Sequence, residues 1–292
     1  MTALVAAVVN PVKVVDQDAL RRAISERAGG EIGWYLTTEQ DPGGGQTAEA
    51  VAAGAKLVLA CGGDGTVAAC ADALAGTGVA MAVLPDGTGN LLARNLDIPL
   101  ELDEALSVAF EGADRQLDVL EADGHKFLVM AGLGFDAALI RDTDEKLKAK
   151  VGWPAYVKGF VQAVRRRRRT RYEIYLDDRP PIHRRAIGVL VGNVGQLEAG
   201  ITLLPDAAPD DGQLDVILLA PRHLLDWPVL LGRILGKRPA DGPQADLLRG
   251  RRARIVPDRP VPAEFDGEYL GDRSELDVRV LPGALLLRCP KR

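Results

Sequence analysis

In the first part of the chain, short unbroken apolar runs alternate with stretches whose apolar residues recur at helical spacing. Residues 3–9 form one such run, ending at Asn10-Pro11; residues 56–61 and 79–84 form two more. Runs of this length, bounded by turn residues, read as strands buried on both faces. Residues 18–28, 67–74, the segment from Leu91 and residues 102–110 read as helices. Strand and helix in turn predict a parallel α/β sheet with right-handed crossovers. Beyond Val119 the texture changes. Strand-like runs at 126–131, 172–176, 186–192, 214–219, 254–256 and 275–281 are separated by turns, with helices expected near 156–167 and 224–235. The expected organisation is an α/β domain over residues 1–122 and a β-rich domain over 123–282. The tail at 283–292 is a candidate to return to the first domain. No Pro/Gly linker separates the two, and no internal repeat is present.

Composition narrows the classes. The 292 residues are 47% hydrophobic and 26% charged, enough for two cores of roughly 150 residues each and unlike a disordered chain. The longest stretch free of charge, residues 73–85, contains two glycines and ends in proline, too short and broken for a membrane span. No basic residue precedes the N-terminal apolar run, so no secretory signal is predicted. Cys61, Cys70 and Cys289 form neither a disulfide framework nor a metal pair, which fits a reducing cytoplasm. The three serines lie outside any Gly-x-Ser-x-Gly elbow, and the three histidines lack zinc spacing. Serine and zinc hydrolases are therefore disfavoured. Neither a P-loop nor the Gly-x-Gly-x-x-Gly dinucleotide fingerprint occurs.

Charge is uneven. The net charge is −5, yet residues 141–185 carry fourteen basic against six acidic groups, including the unbroken run from Arg165 to Arg169. The run reads either as a solvated helix end or as a peripheral contact with an anionic membrane surface. Few aromatics accompany it, so no base-stacking platform for nucleic acid is expected.

Two glycine loops stand out, each between a strand and a helix: Gly62, Gly63, Asp64, Gly65 and Thr66, then Gly87, Thr88, Gly89 and Asn90. Glycines there let backbone N–H groups approach an anion, and the following helix adds its positive end. One such loop would read as a tight turn; two argue for a phosphate-rich ligand. Only four asparagines occur in the chain, and Asn10 and Asn90 flank these loops. Two acidic segments complete the set: Phe265-Asp266-Gly267-Glu268, a proton-accepting pair, a magnesium ligand or a solvated turn, and the Asp211-Gly212-Gln213-Leu214-Asp215 loop, either a hard-cation site or an acidic turn.

Together these motifs resemble the diacylglycerol kinase catalytic domain family, in its bacterial soluble lipid kinase branch, related to the sphingosine and ceramide kinases. The resemblance rests on Asn10-Pro11, the Gly62 to Thr66 loop, Leu84 to Asn90, Ala93-Arg94, Asp211 to Asp215 and Asp266-Gly267-Glu268, in that order. It implies an α/β nucleotide-binding domain, a β-sandwich-like lipid domain and an active site in the cleft between them. It implies ATP and Mg2+ as cofactors and a lipid alcohol such as diacylglycerol as acceptor. By the same resemblance, Asn10, Pro11, Thr38, Gly62, Gly63, Asp64, Gly65, Thr66, Gly87, Thr88, Gly89 and Asn90 contact the nucleotide. Asp266 or Glu268 is the catalytic base. Asp211 and the carbonyl of Gln213 hold a structural magnesium ion, and Asp64 orients the catalytic one. Val67-Ala68-Ala69 and Asp86 depart from the family pattern. Two rivals remain: an NAD-kinase-like enzyme, which shares the first loop, and a non-catalytic nucleotide- or lipid-binding regulator. A cytoplasmic enzyme, peripheral at the inner membrane face, is expected; its oligomeric state is open, a dimer included.

Overall fold

A computed structural model of the chain describes residues 5–134, 169–196, 202–221, 244–266 and 268–291, with single positions at 226, 232 and 242. The helix expected near 156–167, that near 224–235 apart from Asp226 and Gly232, and the arginines before Arg169 lie outside the described residues. The chain divides into two compact units, Met1–Val119 with Leu281–Arg292, and Leu120–Val280.

The first unit runs β1 (Val5–Val9), α1 (Gln17–Ala28), β2 (Gly33–Leu36), α2 (Gly44–Ala52), β3 (Leu57–Gly62), α3 (Asp64–Leu74), β4 (Ala80–Pro85), α4 (Leu91–Asn95), α5 (Leu102–Glu111) and most of β5 (Ala113–Ala122). Its strands lie in the order β2-β1-β3-β4, all parallel. The apolar runs of β1, β3 and β4 are buried throughout their centres, as strands covered on both faces must be. Leu20 and Ile24 of α1 and Ala105, Leu106 and Ala109 of α5 join Ala7, Val9, Leu59, Cys61, Ala82 and Leu84 in one core cluster. The Asp16 carboxylate accepts from the Ala19 N–H at 2.9 Å and caps α1, which ends at Gly29 in the left-handed region, φ 68°.

The second unit is antiparallel. It contains β6 (His125–Phe127), β7 (Met130–Leu133), β8 (Thr170–Leu176), β9 (Ile182–Ala186), β10 (Gly188–Gly192), β11 (Leu214–Leu219), β12 (Ala245–Gly250), β13 (Arg252–Pro257), β14 (Val261–Phe265), β15 (Glu268–Arg273) and the start of β16 (Leu276–Cys289). One sheet is ordered β12-β11-β10-β7-β14-β15; in the other, β16, β13, β8 and β9 are neighbours. Leu133, Val189, Val191, Val216 and Ala263 of the first sheet share a core with Tyr172, Ile174, Leu176, Ala253, Ile255 and Val278 of the second, a β-sandwich. The last part of β16 returns to the first unit, where Leu286 and Leu287 pair in parallel with Ala80 and Met81 of β4. Among the described residues no helix is long and apolar enough to cross a membrane.

Several sequence expectations need correction. The third helix begins at Asp64, within the glycine loop rather than after it. The run 126–131 is two strands, because the N–H groups of Leu128, Val129 and Met130 bond to the Asp266 side chain instead of continuing one ladder. The run 186–192 breaks at Ile187, where the chain leaves the sheet of β8 for the sheet of β7 and β11. The strands β2, β5, β12, β14 and β15 and the helix α2 were not anticipated.

On the exposed side of β13, Arg252 pairs with Asp277 of β16 at 2.6 Å and Arg254 with Glu275, just before β16, at 2.6 Å. Hydrogen bonds from these guanidinium groups hold Glu275 and Asp277 below their ordinary values of 4.5 and 3.8. The folded state therefore binds protons more weakly than the unfolded chain. The pairs contribute in full above about pH 5 and lose their contribution as pH falls through the lowered values. Both arginines are exposed, so solvent screens the pairs and keeps their contribution small. The urea midpoint is expected to fall between about pH 5 and pH 3, and to fall less in the double variant Glu275→Gln, Asp277→Asn.

Candidate functional site

In the first unit, β1 has β2 on one side and β3 on the other. The sheet reverses its direction of growth there, which is where open parallel sheets bind ligands, beyond the strand carboxyl ends. Asn10 leaves β1 at this point and the Gly62 to Thr66 loop leaves β3. The Asn10 N–H donates to the Cys61 carbonyl at 2.9 Å. Its side-chain oxygen accepts from Val12 and Lys13 N–H at 3.0 and 3.2 Å, shaping the turn that holds Pro11, and its amide donates to Thr66 Oγ1 at 3.4 Å. The first strand exit is thereby tied to the first turn of α3.

The two glycine loops touch. A Cβ on Gly87 would stand 2.7 Å from the Gly63 Cα and 2.8 Å from Asn90 Oδ1; one on Gly62 would stand 2.9 Å from Thr66 Oγ1. These glycines are required by the protein's own packing. Asp64 fastens the loops together: Oδ2 accepts from the Asn90 N–H at 2.8 Å and Oδ1 from the Leu91 N–H at 2.6 Å. Asn90, at φ 50°, closes its own loop by accepting from Gly87 N–H at 2.9 Å and donating to the Gly87 carbonyl at 2.8 Å. Arg94 Nε donates to the Gly89 carbonyl at 2.9 Å. Thr88 and Asp86 are exposed on the same loop. Gly65 differs. It is exposed in the first turn of α3, and a Cβ there would meet nothing within 4 Å. Packing does not require that glycine, and it costs the helix about 1 kcal/mol relative to alanine.

A third glycine loop follows β2 and was missed in the sequence. Thr38 Oγ1 accepts from the Asp41 N–H at 3.0 Å, and the Asp41 carboxylate accepts from Gly43 and Gly45 N–H at 3.1 Å each, capping α2. Gly43, at φ 143°, passes so close to α3 that a Cβ would sit 3.2 Å from Cys70 Sγ and 3.6 Å from the Thr66 carbonyl. Asp-Pro-Gly-Gly-Gly ahead of a helix was the available signal. Beneath the loops, burial pushes the Cys70 thiol up to about 12 and Cys61 higher still, so both remain neutral.

In the second unit, Asp266 lies at φ 45° in the turn between β14 and β15. Its carboxylate accepts three backbone N–H groups, from Leu128 at 3.2 Å, Val129 at 3.0 Å and Met130 at 2.9 Å. Glu268 opens β15, paired with Phe265. Asp211 is placed differently from the expectation. Oδ1 accepts from the Gln213 N–H at 2.9 Å, while Oδ2 faces Arg249 Nη1 at 3.8 Å. Arg249 Nε also donates to Asp215 at 2.9 Å. Burial raises the Asp215 carboxyl and the Arg249 hydrogen bond opposes that rise. Among the described residues no group of three or more His, Cys, Asp or Glu side chains is placed to hold a metal ion, and the cation facing Asp211 is the Arg249 guanidinium. Of the arginine run, only Arg169 is described; it donates to the Arg185 carbonyl and, at 3.4 Å, to that of Ala220.

Both units match known family models. Residues 15–122 match the diacylglycerol kinase catalytic domain, and residues 129–289 match the YegS C-terminal NAD kinase beta sandwich-like domain. A Pseudomonas aeruginosa protein named probable lipid kinase YegS-like is 34% identical over 285 residues, 95% of this chain and 92% of its own. An uncharacterized Synechocystis protein is 26% identical over 255 residues, and the match spans 81% of this chain but only 55% of that relative. The crystal structure of a Bacillus anthracis diacylglycerol kinase superposes with a TM-score of 0.80 at 22% identity, covering 98% of this chain and 96% of its own, a likeness of fold. The chain belongs to the YegS-like, diacylglycerol kinase-like family of lipid kinases.

The loop geometry sets a stability expectation. Gly87→Ala forces backbone apart at Gly63 and is expected to cost about 1–3 kcal/mol in urea unfolding. Asp64→Asn removes a charged acceptor of two N–H groups, with an expected loss of about 1.5–3 kcal/mol.

Proposed function

We propose that the chain is an ATP-dependent kinase that phosphorylates the primary hydroxyl of a lipid alcohol, diacylglycerol being the first acceptor to test. The observation that carries this reading is Gly65. It is a glycine that packing does not need, exposed at the start of a helix, at the point where a parallel sheet takes its ligands. Its bare backbone suits a phosphate approaching the first turn of α3. Asn10, Pro11, Thr38, Thr66 and Thr88 would line the rest of the nucleotide path.

Phosphoryl transfer asks for positioning, charge neutralisation and a proton acceptor. Magnesium would arrive with the ATP phosphates and neutralise their charge. Asp64 has one N–H on each oxygen and keeps lone pairs that can orient the hydrated ion. The Asn10–Thr66 and Asp64–Asn90 contacts hold the loops rigid, so little reorganisation accompanies binding. For the base we favour Glu268 over Asp266. Three N–H donors already occupy the Asp266 carboxylate, which fits it to hold the turn that carries Glu268. The acceptor hydroxyl gives its proton to Glu268 as its oxygen attacks the γ-phosphorus and the bond to the ADP oxygen breaks. The second unit would bind the acyl chains, and the Arg165 to Arg169 run would draw the enzyme to an anionic membrane.

The test uses labelled ATP and magnesium, with diacylglycerol, monoacylglycerol, sphingosine and ceramide in mixed micelles and NAD in a separate tube. Label on a lipid is expected, reduced about 10²–10⁴-fold in Glu268→Gln. Label on NAD alone would assign an NAD kinase. ATP binding without transfer to any acceptor would favour the regulator. Gly65→Ala is expected to leave unfolding unchanged or raise stability by up to about 1 kcal/mol, while ATP affinity falls at least about tenfold. Unchanged affinity would remove the phosphate contact from α3.

A further inference from the structure

The stretch from Asp206 to Asp215 places four carboxylates, Asp206, Asp210, Asp211 and Asp215, on one loop and the start of β11. So much like charge in one loop calls for a cation. The structure supplies it from the neighbouring strand. Arg249 of β12 stands directly opposite Asp215 of β11 in the ladder, the position at which opposite charges stabilise a strand pair. Its guanidinium spreads over three partners: Nε donates to Asp215 Oδ1 at 2.9 Å, Nη1 faces Asp211 Oδ2 at 3.8 Å, and Nη2 donates to the Asp206 carbonyl. The other Asp211 oxygen accepts from the Gln213 N–H at 2.9 Å, which folds the loop on itself. Magnesium requires a near-octahedral oxygen set at about 2.1 Å. Here one Asp211 oxygen already faces a fixed guanidinium, so a divalent ion bound to that oxygen would have to displace the guanidinium or share the oxygen with it at close range.

We propose that Arg249 is the built-in cation of this loop, replacing the structural magnesium ion that the family resemblance implies at Asp211 and Gln213. The second unit then folds, and stays folded, without a metal of its own. This inference does not depend on the identity of the acceptor or on catalysis.

The test is thermal unfolding of the full chain without nucleotide, in EDTA and in millimolar magnesium chloride, with elemental analysis after gel filtration. The expected result is one midpoint in both buffers and no stoichiometric magnesium retained. Arg249→Gln lowers the midpoint in EDTA by about 2–4 °C, and Arg249→Lys, which keeps the charge without the planar fork, falls between it and the parent. A magnesium-dependent rise in the parent that disappears in Asp211→Asn would overturn the proposal, because the loop would then hold a divalent ion with Arg249 present. An Arg249→Gln midpoint equal to the parent's would overturn it as well. If Arg249→Gln does not fold, the parent in the two buffers and Arg249→Lys decide the matter.

Discussion

The Asp64 carboxylate is the constraint on which the nucleotide-side geometry depends. It sits in the first turn of α3, yet both its oxygens are bonded to the start of α4, at Asn90 and Leu91. Negative charge at two helix N-termini is favourable in itself. Its greater effect is to join two loops that are separate in sequence. The close approach of Gly63 and Gly87 follows from that tie, since any side chain at Gly87 would hold the loops apart. Asn90 accepts the left-handed conformation because its own side chain bonds both the N–H and the carbonyl of Gly87. The phosphate contact proposed at Gly65 would therefore meet loops already in place.

The sequence was most legible where burial leaves no choice. The strands β1, β3 and β4 are apolar throughout because the sheet is covered on both faces there. The strand β2 escaped notice because it is an edge strand: Gly33, Trp34 and Tyr35 are half-buried and Leu36 is 45% exposed, so no apolar run marks it. The helix α2 opens on glycines and is anchored by the Asp41 carboxylate, a capping device that periodicity does not detect. In β14, Pro262 and the fully buried Glu264 disguise a strand, and its ladder slips between those two residues.

Motif spacing picks out the residues of the candidate site but not what each one bonds. The sequence offers Asp64, Asn90 and Asp211 as ligand-binding groups and Asp266 as a candidate base. Their geometry divides them. Asp64 and Asn90 hold loops, Asp266 organises three backbone N–H groups, and Asp211 faces an arginine 38 positions further along the chain. Sequence alone could not show this, because backbone N–H donors carry no residue signature and Arg249 belongs to no motif.

The path of β16 has a consequence for synthesis. Leu286 and Leu287 add to β4 beside Ala80 and Met81, about 200 residues earlier in the chain, and the Ala284 carbonyl accepts from the Gly76 N–H at 2.7 Å. On the ribosome the glycine loops emerge early, while the flank of β4 stays open until the sandwich has been translated. During that interval the edge of β4 is an unpaired template for another nascent strand. The order of translation thus makes the second unit a precondition for a finished first unit, and a chain truncated before β16 would be prone to self-association along β4.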